Sequence, residues 1–311
     1  MSRETDLAVR RSVLLRRRAN LPVEKQDLLD RRLRGEIEAS GATISPASSL
    51  ICLQNGDARE RPLFLCHPAT GEVICYADLA RMLGGERPVY GLRAQGLEDD
   101  QPPLTEVEAM AAHYVTLLQT VQAEGPYMLG GWSMGGVVAF EMAQQILAQN
   151  QEVALLALID SSVLLDSQLS EPSDISVLGG LARSMGLPLN QIKFDLNYFE
   201  QLAPDDRLAY MMEQAKQDNA ALPDMEPIQV GRLFRVFKSN SQALRHYRAH
   251  TYSGHITLFK AKEQSDGAKE DLGWGKWAGG GVTVHEVLGA HYMMMQSPNV
   301  ETLAEQLGIY L

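Results

Sequence analysis

The chain has 311 residues, 45% of them hydrophobic, enough for one large core, and α/β folds of roughly 250 residues commonly form a single domain. Net charge is −11 and uneven: the first 40 residues hold ten Lys or Arg against seven Asp or Glu, a net of +3, so the remainder carries −14, and so acidic a body argues against a nucleic-acid partner. Cys52, Cys66 and Cys75 make neither a disulfide framework nor a metal-ligand spacing, and neither C-x-x-C nor H-E-x-x-H occurs, so no metal is expected and the thiols read as reduced and buried in a cytoplasmic protein.

No stretch reaches the roughly 18 apolar residues of a membrane span, and Val13-Leu14-Leu15 is too short for a signal peptide, so no membrane partner is expected. Leu21 to Leu33 reads as a short helix, with Pro22 in its first turn, acids early and arginines late. Residues 35–60 are rich in Ala, Ser, Gly and polar residues. Residues 1–60 therefore read as a helical leader and linker, either a docking element or a remnant without a role.

The next segment, Leu63-Phe64-Leu65-Cys66-His67-Pro68-Ala69-Thr70-Gly71, is an apolar strand breaking into a Pro/Gly loop. Cys66 lies inside that strand, which is no place for a nucleophile, and His67 reads as structural. Thr105 and Glu108 predict a capping box for a helix running to Val121. Tyr127-Met128-Leu129 then leads through Gly131-Trp132-Ser133-Met134-Gly135 into the amphipathic stretch Val137 to Leu147, which reads strand, sharp turn, helix. A G-x-S-x-G sequence at such a junction is a nucleophile elbow, which presents Ser133 above the sheet on strained backbone. Side chains at Gly131 and Gly135 would collide with the neighbouring strand and helix. Trp132 either walls the adjacent chamber or packs against the helix.

An elbow serine needs a base, an acid to orient it and donors for the oxyanion, and in the α/β-hydrolase fold the order is Ser, acid, His. The apolar run Glu152 to Ile159 ends on Asp160, at the carboxyl edge where ligands gather in open α/β sheets. Asp160 is the expected acid, against the plainer reading of a turn or helix cap. Asp266, after the strand-like His255 to Ala261, is the second candidate. Residues 162–253 exceed what the core requires and read as a helical lid, with helices over Ile175 to Met185, Pro204 to Lys216 and Val230 to Tyr247. After Val282 to Leu288 and the turn residues Gly289-Ala290 comes His291, the last histidine and the expected base, followed by a closing helix, Val300 to Leu311. His113 falls in the middle of a helix, and His246, His250, His255 and His285 read as satisfied polar or half-buried residues. The backbone N–H groups of Met134 and Ala69 are the expected oxyanion donors.

From about Arg61 to Leu311 the chain resembles the type I thioesterase domains that end nonribosomal peptide and polyketide synthases. The matching segments are LFLCHPATGE, GWSMGG, LLALIDSS, HITLFKAKE, and GAHYMMM followed by Pro298, Val300 and LAEQLGIYL. Thr70 stands where a small Gly is usual, and residues 1–60 have no counterpart. The resemblance implies an α/β-hydrolase fold with a mostly parallel central sheet, helices on both faces and an inserted helical lid. It implies that Ser133 takes an acyl or peptidyl chain from a carrier-protein phosphopantetheine thioester, with Asp160 and His291 completing the triad, and releases it by hydrolysis or cyclisation without a bound cofactor. The expected partner is an acyl or peptidyl carrier protein, with the N-terminal segment as a second contact to a synthetase module. The alternatives are a stand-alone editing thioesterase or acyl shuttle acting in trans, and a silent hydrolase fold serving as receptor or scaffold.

Overall fold

The computed structural model describes residues 49–98, 100–163, 174–184, 227–264 and 267–311, with a few isolated positions between 198 and 214. The expected leader helix, Asp266 and all but a few positions of the helix at Pro204 to Lys216 lie outside the described residues, which divide the lid reading as well. Seven strands form one sheet in the order β1-β3-β2-β4-β5-β6-β7. They are β1 (Leu50–Gln54), β2 (Leu63–Cys66), β3 (Val89–Leu92), β4 (Tyr127–Trp132), β5 (Val153–Ile159), β6 (Ile256–Glu263) and β7 (Val282–Ala290). β1 runs antiparallel to β3 at one edge, and the other pairings are parallel.

The inner strands read as unbroken apolar runs because both faces are covered. Every residue of β2 and β4 is buried. Helices α2 (Val107–Gln119) and α3 (Met134–Ala148) pack on one face, while α1 (Ala77–Met82) and α6 (Asn299–Gly308) pack on the other. α2 buries Val107, Met110, Ala111, Tyr114, Val115 and Leu118, a stripe at helical spacing whose members each stabilise the fold by roughly 1.5–3 kcal/mol if large and fully enclosed. Between β5 and β6 lie α4 (Asp174–Ser184) and α5 (Pro227–His246), which share a small apolar cluster of Val177, Leu181, Leu233, Val236 and Phe237 with Ala94 and Leu97.

Four sequence expectations need correction. β1 lies inside the stretch read as linker, so the sheet begins before residue 61; its apolar residues Leu50 to Leu53 are short and flanked by linker-like composition. No capping box forms on α2: Glu106, in extended conformation, takes the cap position without a side-chain bond, one residue beyond Thr105. Gly289 and Ala290 continue β7, where Ala290 pairs with Glu263 past a register shift. Of the cysteines, Cys66 is buried and Cys52 and Cys75 are only partly so.

Candidate active site

The carboxyl ends of β4 and β5 lie side by side, with Trp132 level with Ile159. One step further, the Ser133 N–H donates to the Ile159 carbonyl at 2.9 Å and the Asp160 N–H to the Phe259 carbonyl at 2.7 Å. Register alone thus sets Ser133 beside Asp160. Ser133 has φ 58 and ψ −125, a conformation that a non-glycine residue holds only where its surroundings enforce it. The enforcing contacts are glycine approaches. A Cβ on Gly131 would overlap the backbone of Gly135, and one on Gly135 would overlap the Cys66 carbonyl.

Asp160 is buried and its carboxylate is fully engaged. Oδ1 accepts from the Ala261 N–H at 2.8 Å and from Gln264 Nε2 at 2.7 Å, while Oδ2 accepts from His291 Nδ1 at 2.7 Å. The carboxylate continues the β5–β6 ladder past the end of β5 and reaches across β6 to the residue following β7. His291 opens a single turn, His291–Met293, which Asn299 Nδ2 of α6 fastens by donating to the Met293 carbonyl at 3.2 Å. The His291 ring lies 5.1 Å from the Trp132 ring, and Tyr292 meets both edge-on. With Nδ1 donated to Asp160, Nε2 is the remaining ring nitrogen. No hydrogen bond joins Ser133 Oγ to His291 among the described residues, and catalytic contacts of this kind often tighten only around substrate.

Two cavities meet at Ser133, His291 and Tyr292. The first, about 460 Å³, lies between the Pro68–Thr70 loop, Trp132, and Leu233 and Phe237 of α5. The second, about 440 Å³, runs along Met134, Val137, Asp160 and Gln264. Trp132 walls the first cavity and packs in the core cluster on the α1 and α6 face, away from the α3 cluster against which it was alternatively expected. Glu72 and Glu98 bring carboxyl groups to the same cavity; burial raises the Glu72 pKa, which nearby Arg93 opposes.

The Pro68–Thr70 loop bends on a turn closed by the Gly71 N–H donating to the Pro68 carbonyl at 2.8 Å; Gly71 takes the positive φ, 83, so Thr70 is accommodated without left-handed backbone. Neither the Ala69 N–H nor the Met134 N–H has an acceptor among the described residues, and the two residues line the cavities beside Ser133. Sequence reasoning missed the groups that join this loop to its surroundings. Tyr76 donates to the Cys66 carbonyl at 2.6 Å and accepts from the Trp132 N–H at 2.8 Å, clasping the ends of β2 and β4. Asn240 of α5 donates to the Ala69 carbonyl at 3.0 Å. A polar Asn240 on the apolar stripe of Leu233, Val236, Phe237 and Leu244 was a legible signal. Cys66 is shut off from the site, and burial pushes its thiol pKa far up. No group of three or more His, Cys, Asp or Glu among the described residues could hold a metal ion, and none of the described helices is long and apolar enough to cross a membrane.

A serine on a strained strand-to-helix turn, an acid after the next strand and a histidine after the last strand of a mostly parallel sheet make this an α/β-hydrolase. A family model described as the thioesterase domain matches residues 61–309, and the chain belongs to that family. An atromentin synthetase of Paxillus involutus is 28% identical over 249 residues, 78% of this chain and 26% of the relative. A dimodular nonribosomal peptide synthase of Bacillus subtilis (strain 168) is 31% identical over 201 residues, 64% of this chain and 8% of the relative. The chain thus spans between 8% and 26% of the length of these two relatives. A solved holo four-domain nonribosomal peptide synthetase, bound to AMP and glycine, matches with a TM-score of 0.76 at 30% identity over 88% of this chain and 21% of that one. The NocB thioesterase domain, in covalent complex with a fluorophosphonate nocardicin G analog, shares the fold with a TM-score of 0.62 at 23% identity over 85% of this chain and 99% of that one.

Proposed function

We propose that this chain is a serine thioesterase that takes an acyl or peptidyl chain from a carrier-protein phosphopantetheine thioester and releases it in nonribosomal peptide or polyketide assembly. The observation carrying this reading is the Asp160-held His291 sharing two cavities with Ser133 on its strained elbow. His291 Nε2 takes the Ser133 proton as Oγ attacks the thioester carbonyl, and the Ala69 and Met134 N–H groups receive the oxyanion. The pantetheine thiolate leaves with the proton from His291. A second nucleophile, water or an internal amine or hydroxyl, then gives up its proton to His291 as it attacks the acyl-serine carbonyl, and Ser133 Oγ leaves with that proton, restoring the free serine and the neutral imidazole. Asp160 holds the imidazole with Nδ1 protonated and stabilises the imidazolium.

Residues 162–253 act as a lid, whose α5 wall supplies Leu233 and Phe237 to the acyl side. The carrier protein is the partner, and its contacts remote from the reacting carbon order the thioester above Ser133. The test compares kcat/KM for one acyl group on a holo carrier protein and on N-acetylcysteamine. A preference of at least about tenfold for the carrier is expected, since such a factor needs only about 1.4 kcal/mol of remote binding. Equal values would remove the carrier protein and point to a general esterase.

A further inference from the structure

Behind the Pro68–Thr70 loop stands His67, fully buried on a strand end and hydrogen-bonded through both ring nitrogens: Nδ1 to the Pro68 carbonyl at 2.8 Å and Nε2 to the Tyr114 hydroxyl at 2.7 Å. We propose that His67 is a positioning residue for acyl transfer at Ser133: its Nδ1–H fixes and polarises the Pro68–Ala69 peptide, whose N–H receives the oxyanion, and the Tyr114 hydroxyl sets its tautomer. This rests on the assignment of Ala69 as an oxyanion donor.

The directions of these bonds follow from the chemistry of the groups. A carbonyl can only accept, so Nδ1 carries a proton; in the neutral ring Nε2 then accepts, and Tyr114 donates to it. Burial holds the ring neutral, with its pKa lowered to about 4. The Pro68 carbonyl also accepts from the Gly71 N–H at 2.8 Å, so two donors draw electron density toward the oxygen of one amide. The N–H at the other end of that amide belongs to Ala69, and hydrogen bonds in such a chain strengthen one another. Tyr114 sits inside α2, buried in the main core, so the far end of the relay is anchored in rigid structure. The near end opens on the cavity beside Ser133. A histidine needed only to fill space would not require both nitrogens aligned on partners at opposite ends.

The test uses wild type, His67→Asn, His67→Leu and Tyr114→Phe. Asn presents an amide N–H near the place of Nδ1–H, whereas Leu cannot donate. For each, kcat and KM are measured on an acyl-carrier thioester and on the matching p-nitrophenyl ester, together with the inhibition constant of a trifluoromethyl ketone, which forms a tetrahedral oxyanion on serine. His67→Leu is expected to lower kcat about 100-fold on both substrates and to weaken the ketone similarly, with KM within about twofold. His67→Asn should recover to within about tenfold of wild type, and Tyr114→Phe should lose about tenfold in kcat with KM unchanged. Equal losses in the Asn and Leu variants, a fall in kcat without weaker ketone binding, or an unchanged Tyr114→Phe would each overturn the proposal. The Tyr114→Phe outcome decides alone should His67→Leu fail to fold. A wild type inert toward the thioester, with the pattern intact on the p-nitrophenyl ester, would sink the thioesterase reading and leave the role of His67 standing.

Discussion

Asp160 owes its place to bonds that also predict how its loss would act. Oδ1 is committed to the Ala261 N–H and Gln264, both donors, so in Asp160→Asn the amide oxygen must stay there and the NH₂ group must face His291. A donor opposite Nδ1 drives the proton to Nε2, the nitrogen that accepts from Ser133 in the proposed mechanism. Turnover should therefore fall on the order of 10⁴-fold with the melting temperature little changed, whereas Asp266→Asn should cost little. A larger loss from Asp266→Asn, read in the same steady-state assay, would move the acid to the later strand. Two glycines provide a matched pair for the elbow. A methyl on Gly135 overlaps the Cys66 carbonyl and lies 2.9 Å from that of His67, so Gly135→Ala forces strand backbone to move. It should destabilise by about 3 kcal/mol, the upper end for overpacking. Gly231, in α5, has nothing within 4 Å of an added Cβ, and Gly231→Ala should instead stabilise by about 0.5–1 kcal/mol. Urea unfolding of the two variants distinguishes a packing cost from a generic effect of adding a methyl.

At the scale of elements, the Pro68–Thr70 loop is a junction: β2 enters it, α2 reaches it through Tyr114 and His67, and α5 through Asn240. Burial of His67 has a consequence for stability. The unfolded ring titrates near 6.5 and the folded ring at about 4, so between these values the unfolded chain binds a proton that the folded chain excludes. Stability is complete above 6.5 and is lost as pH falls toward 4, by about 3 kcal/mol at most. Urea midpoints at pH 7.5 and 4.5 should fall further for wild type than for His67→Asn; equal falls would show that the ring is not held neutral. The elements themselves were largely legible. β2, β4 and β5 are buried on both faces, so their sequences run apolar without interruption, and the glycines flanking Ser133 announced the close approaches that the fold contains. The clasp of Tyr76 was not legible, because it joins residues 56 positions apart through a hydroxyl that nothing local requires. β1 hid between linker-like flanks, since its apolar run Leu50 to Leu53 is only four residues long.

At the scale of the whole molecule, the sheet brings the ends of β4, β5 and β7 to one edge, and α5 closes over that edge from the insertion between β5 and β6. The two cavities flank Ser133, which suits the proposed mechanism, in which the serine holds an acyl chain on one side while a thiol leaves and a second nucleophile arrives on the other. The most direct measurement is intact-protein mass spectrometry after rapid mixing with an acyl group carried on a holo carrier protein, in wild type and in Ser133→Ala. Wild type should gain the mass of the acyl group, located on the peptide that contains Ser133, while Ser133→Ala keeps its fold by circular dichroism and gains nothing. An acyl adduct of equal abundance on Ser133→Ala, or turnover of the thioester by that variant at the wild-type rate, would contradict the assignment of Ser133 as the nucleophile.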